Sequence, residues 1–116
     1  PLFLLWNKLQ FVIMISIIQN NRDSIAQICK RYRILELYVF GSAISSHYDP
    51  SKSDIDFAVI FDPNIPVKDM ADYYFGVIEE LENLLGTQID LVTLKSVKNP
   101  IFKEELEKTM VPLYAA

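Results

Sequence analysis

The chain has 116 residues, 51% of them hydrophobic and 22% charged, with a formal net charge of −4. This length and composition point to one domain with a real apolar core and exclude a disordered chain. The acidic balance argues against a domain built to grip a nucleic-acid backbone, and a lone Cys29 excludes an internal disulfide and fits a reducing, cytoplasmic setting.

Residues 1–18 are strongly apolar, but Asn7, Lys8 and Gln10 interrupt them. The stretch is too short and too polar for a membrane span. It also lacks the basic start and small-residue cleavage site of a signal peptide. The chain begins at Pro1, and Met14 offers a second start, so 1–13 read as an N-terminal extension that need not be native and 14–116 as the domain. Residues 16–31 predict a helix, because Ile18, Ile25, Ile28, Cys29 and Tyr32 fall near one face. Residues 35–40 predict a strand that Gly41 stops, with a short helix or turn opening at Ser42 and a polar loop over 47–53. Residues 55–61 predict the central strand, since the unbroken apolar run 57–61 implies burial on both faces.

Residues 62–66 read as a loop and 67–85 as an amphipathic helix along Met70, Tyr74, Val77, Leu81 and Leu84, stopped by Gly86. Gly76 within it is either a local cost or a point of close packing. A second apolar strand follows over 87–94. Asn99 is placed to cap a helix with Pro100 in its first turn, with Glu104 and Glu105 early in it, running to about 108. Pro112 makes 111–114 an edge strand, because proline has no N–H for a ladder. The order gives an α+β class, a single mixed β-sheet with helices packed on it. Neither a G-x-G-x-x-G nor a G-K-[ST] motif occurs.

The chemistry concentrates around Val39-Phe40-Gly41-Ser42 and Ser53-Asp54-Ile55-Asp56. Residues i and i+2 of a strand share a face, so Asp54 and Asp56 project side by side. Two carboxylates this close repel unless a cation sits between them, and hard oxygen ligands suit Mg²⁺. Gly41-Ser42 could offer backbone N–H groups and a hydroxyl to a phosphate. Asp90 is a third acid, in the otherwise apolar Ile89-Asp90-Leu91-Val92. If its strand neighbours that of Asp56, the cluster can hold two Mg²⁺ ions about 3.5–4 Å apart, as in two-metal phosphoryl transfer. Each part has a plainer reading: acids at strand ends facing water, a capping serine, a turn glycine. Their order and context favour the joint one.

Phe40-Gly41-Ser42 … Ser53-Asp54-Ile55-Asp56 resembles the G-S … D-x-D signature of the nucleotidyltransferase fold, the DNA polymerase beta superfamily. The short length and Ile89-Asp90-Leu91-Val92 resemble its minimal nucleotidyltransferase (MNT) branch, over most of 14–114. The resemblance implies that Gly41 and Ser42 contact nucleotide phosphates and that Asp54, Asp56 and Asp90 bind metal. It implies Mg²⁺ and ATP as cofactors, transfer of AMP to a hydroxyl, and a HEPN-type toxin as partner, with a tyrosine as acceptor and this chain as antitoxin. It implies no direct DNA binding and no membrane. The chain departs from the family twice. Ala43 to Ser53 is one residue longer than the common spacing, and Ala43-Ile44-Ser45-Ser46 carries none of the arginines many members have there. Lys52, Lys95 or Lys98 could substitute, and His47 and Tyr48 could act near the acceptor. The alternatives are an antitoxin that acts by binding alone and transfer to a small molecule.

Overall fold

The computed structural model describes residues 2–40 and 55–116. Two helices open it, α1 (Leu2–Asn20) and α2 (Arg22–Arg31). The sequence predicts one helix over 16–31; the structure divides it at Asn21, whose φ of −108° and ψ of 14° leave helical geometry. The Asn21 side-chain amide donates to the Ile17 carbonyl at 2.7 Å, so the residue closes α1 with its own side chain. Among the described side chains of α1, Met14 and Ile18 are the buried apolar ones, whereas Leu2 to Trp6, Leu9, Val12, Ile13 and Ile17 are exposed. Among the described residues no helix is long and apolar enough to cross a membrane.

Strands β1 (Ile34–Phe40) and β2 (Ile55–Phe61) follow, then a single 3-10 turn (Val67–Asp69) leading into α3 (Met70–Leu85). The chain continues through β3 (Ile89–Thr93), a 3-10 turn (Leu94–Ser96), α4 (Pro100–Thr109) and β4 (Val111–Ala115). The strand predicted over 87–94 is therefore shorter, because 94–96 turn toward α4. The four strands form one sheet in the order β3-β2-β1-β4. β1 runs antiparallel to both β2 and β4, and β2 runs parallel to β3, so the sheet is mixed. The α+β architecture read from the sequence is the observed one, with β2 internal and β4 at an edge.

The main core lies between one face of the sheet and helices α2 and α3. Leu37, Phe57, Val59, Val77 and Leu81 are fully buried there, with Ile25 and Cys29 of α2. Each such apolar side chain contributes about 1.5–3 kcal/mol over leaving it in water. The opposite face carries a smaller cluster of Phe40, Ala58 and Leu106, with Tyr38, Val92, Leu94 and Met110 packed around it. This second cluster is why β2 is apolar on both faces.

Local signals close the elements as the sequence predicts. Gly86 ends α3 at φ 70°, a left-handed position that favours glycine. The Asn99 side-chain oxygen accepts from the N–H groups of Ile101 (3.0 Å) and Phe102 (3.3 Å), capping α4. Gly76 is a point of close packing: a Cβ there would lie 2.5 Å from the Tyr32 ring.

Candidate functional site

Strand alternation sorts the described residues of β2 and β3 by face. Ile55, Phe57 and Val59 turn into the main core, so Asp56, Ala58 and Ile60 turn the other way. The register pairs Asp56 with Asp90 across the parallel β2–β3 ladder, and Phe40 with Asp56 across the antiparallel β1–β2 ladder. Asp90, Asp56 and Phe40 therefore form one row across three strands, on the face away from α2 and α3. The next row is Val92, Ala58 and Tyr38. Leu106 of α4 buries that second row and one side of Phe40. Phe102 meets Phe40 edge-on, with ring centroids 6.2 Å apart. Helix α4 thus covers the rows toward the carboxyl end of β2 and leaves the acid row at the margin. Asp56 is half-buried and Asp90 exposed.

Neighbouring strands lie about 4.8 Å apart, so two carboxylates in register repel strongly unless positive charge joins them. Among the described residues no group of three His, Cys, Asp or Glu side chains is placed to hold a metal. Asp56 and Asp90 supply two hard oxygen donors on one face, which fits Mg²⁺. Asp54 lies outside the described residues. So do Gly41, Ser42, His47, Tyr48 and Lys52.

Other predicted positions fall elsewhere. Lys95 follows the carboxyl end of β3, whereas Asp90 stands near its amino end. It lines a cleft with Val59 and Thr93, so it is not placed as a triphosphate contact beside Asp90. Lys98 is exposed between β3 and α4. Cys29 is a packing residue: burial pushes its thiol up to about 12, so it remains protonated at neutral pH. Sequence reasoning missed Phe40 as the neighbour of Asp56 and α4 as the cover of that face. The i, i+2, i+4 spacing of Glu36, Tyr38 and Phe40 carried the signal. The Tyr38 hydroxyl donates to Glu36, and this bond holds its pKa above the ordinary phenol value.

The "Polymerase beta, Nucleotidyltransferase" family description matches residues 23–116. The chain belongs to this nucleotidyltransferase family. Among relatives of this nucleotidyltransferase is a "putative protein adenylyltransferase" of Methanocaldococcus jannaschii, 35% identical over 81 residues, which cover 70% of this chain and 78% of that protein. A solved structure described as a "putative minimal nucleotidyltransferase" superposes with a TM-score of 0.64 at 25% identity, covering 84% of this chain and 93% of the other. A chain in a complex of tri-AMPylated Shewanella oneidensis HEPN toxin with MNT antitoxin shares the fold, with a TM-score of 0.58 and 21% identity, covering 84% of this chain and 72% of that one.

Proposed function

We propose that this nucleotidyltransferase moves AMP from ATP to a tyrosine hydroxyl of a HEPN-type toxin and thereby acts as an antitoxin. The observation that carries the reading is the register pairing of Asp56 with Asp90 on the sheet face that α4 leaves open at its margin. The adenylyltransferase name of the archaeal relative supports AMP as the transferred group. The AMP-modified toxin in the complex that shares this fold supports a protein acceptor.

In the reaction the acceptor oxygen bonds to the α-phosphorus of ATP. The bond from that phosphorus to the bridging oxygen breaks, pyrophosphate leaves, and the hydroxyl proton passes to solvent. Asp54, Asp56 and Asp90 would hold Mg²⁺, and Gly41 and Ser42 would contact the phosphates. Their support is the sequence motif, together with the facing of Asp56 and Asp90. A bound divalent cation supplies charge neutralisation for the triphosphate and a lower pKa for the attacking hydroxyl. The fold itself orients: β2 and β3 set the carboxylates side by side, and Phe40 and Phe102 wall the row on its β1 side.

The test is incubation of the chain with ATP, Mg²⁺ and the protein encoded beside it, followed by intact-mass analysis. The partner gains the mass of one or more AMP groups, and the gain disappears with Asp56→Asn or Asp90→Asn. An unmodified partner, or modification that survives both substitutions, overturns the reading. A second reading rests on Ala43-Ile44-Ser45-Ser46, where many relatives have arginines: neutralisation by binding alone. Neutralisation in cells that survives loss of all three aspartates would establish it.

A further inference from the structure

The carboxyl ends of β2 and β3 frame a cleft of about 480 Å³ that plays no part in the chemistry above. Val59, Phe61, Ile65, Met70 and Tyr74 give it apolar walls, and Lys95 stands at its rim. It lies beyond Asp56 along β2, on the α3 side of the sheet, since Val59 and Phe61 turn into that face. The cleft continues onto an open helix face. Ala71 lines the cleft and is exposed, Phe75 stands one turn after it on α3, and Val67 opens the 3-10 turn that leads into the helix. Val67 is 92% exposed and Phe75 65%. Spacing of four puts Ala71 and Phe75 on one stripe of α3, about 6 Å long at 1.5 Å per residue, with Val67 in the 3-10 turn just before it. An apolar stripe running into an apolar cleft is a surface that water does not favour leaving bare.

Charge identifies what would cover it. The cleft has two charged lining residues, Asp62 and Lys95. Asp62 is already engaged: Arg33 donates to it at 3.0 Å and the Asn64 N–H at 2.9 Å. Those two bonds, the backbone one first, hold its carboxyl below the usual range. Lys95 makes no ion pair among the described residues. Among the residues lining the cleft, the charge left without an ion pair is therefore positive. A small ligand would fill the cleft and leave the stripe bare; an extended polypeptide covers both.

We propose that this surface docks a segment of the protein acceptor, with a large apolar side chain in the cleft and a neighbouring carboxylate on Lys95. The identity of the acceptor rests on the function proposed above. The surface and the acid row lie on opposite faces and toward opposite ends of β2. Docking therefore leaves the row open and holds the acceptor nearby, raising its effective concentration there.

The test uses the full chain and the purified protein encoded beside it. Binding is measured by calorimetry for wild type, Phe75→Asp, Ala71→Arg, Lys95→Glu and Asp56→Asn, each first checked for an unchanged Tm. The surface substitutions weaken binding at least tenfold and raise the KM for the acceptor with kcat retained; Asp56→Asn leaves binding intact. Reversing a partner carboxylate to lysine restores binding to Lys95→Glu. Unchanged affinity in all three surface variants, or no complex with wild type, overturns the proposal. So does octanoate that shifts the NMR signals of Val59 and Met70 while leaving protein binding unchanged. Weakened binding without any AMP transfer upholds the docking surface and removes the transfer reading alone.

Discussion

Asp56 and Asp90 stand in register on adjacent strands, and the physics of that placement is testable without any substrate. Two carboxylates one strand apart favour a divalent cation, so Mg²⁺ raises the Tm of the wild-type chain. At a hundredfold excess over Kd the linkage is worth about 2.7 kcal/mol. Asp90→Asn removes most of that increment, and scanning calorimetry with and without Mg²⁺ reads it. Gly76 offers a residue-scale test of packing. Alanine there gains about 1 kcal/mol of helix propensity. It also drives a Cβ into the Tyr32 ring, which stands edge-on to Tyr73 with centroids 6.1 Å apart, and such overpacking costs about 1–3 kcal/mol. Gly76→Ala therefore lowers stability in the wild type and raises it in a Tyr32→Ala background, a reversal of sign that urea titration detects.

At the scale of the element, β3 is an edge whose backbone is nonetheless occupied. Ile55 donates its N–H to the Gln88 carbonyl, so the groups of Ile89 and Leu91 face away from β2. Helix α3 reaches across to both. Glu82 accepts the Ile89 N–H at 3.1 Å, and the Tyr74 hydroxyl donates to the Leu91 carbonyl. A helix that bonds the outer side of an edge blocks unwanted strand pairing there. Tyr74→Phe is expected to cost about 0.5–1.5 kcal/mol, the net worth of one hydrogen bond, and to speed amide exchange along β3. The sequence marks Tyr74 as part of an apolar stripe, and nothing in that spacing reveals that its hydroxyl would serve a strand. The caps were different. Asn99 before Pro100 and Gly86 after an apolar stripe are signals written within a few residues, and both hold in the structure. The break at Asn21 escaped the sequence because a polar residue inside a helical period does not announce a turn.

Over the whole molecule, stability is unevenly distributed. The described residues of 2–13 are exposed, and α1 enters the core at Met14 and Ile18. A chain beginning at Met14 is thus expected to keep the Tm of the full chain within a few degrees and to aggregate less, which scanning calorimetry and light scattering would measure. The sequence by itself determined the four strands and helices α3 and α4, the internal place of β2, the edge place of β4 and the acids at issue, because these follow from local periodicity, turn chemistry and unbroken apolar runs; it did not show that α1 runs back to Leu2. It also held the Gly-Ser and D-x-D spacing from which the family was legible. Only the tertiary structure decided that β3 lies parallel beside β2 in the register that sets Asp90 against Asp56, that α4 covers the rows below them, and that Lys95 faces a cleft at the other end. Strand order and register are fixed by which faces pack against which helices, and contacts between residues far apart in the chain leave no mark in its local pattern.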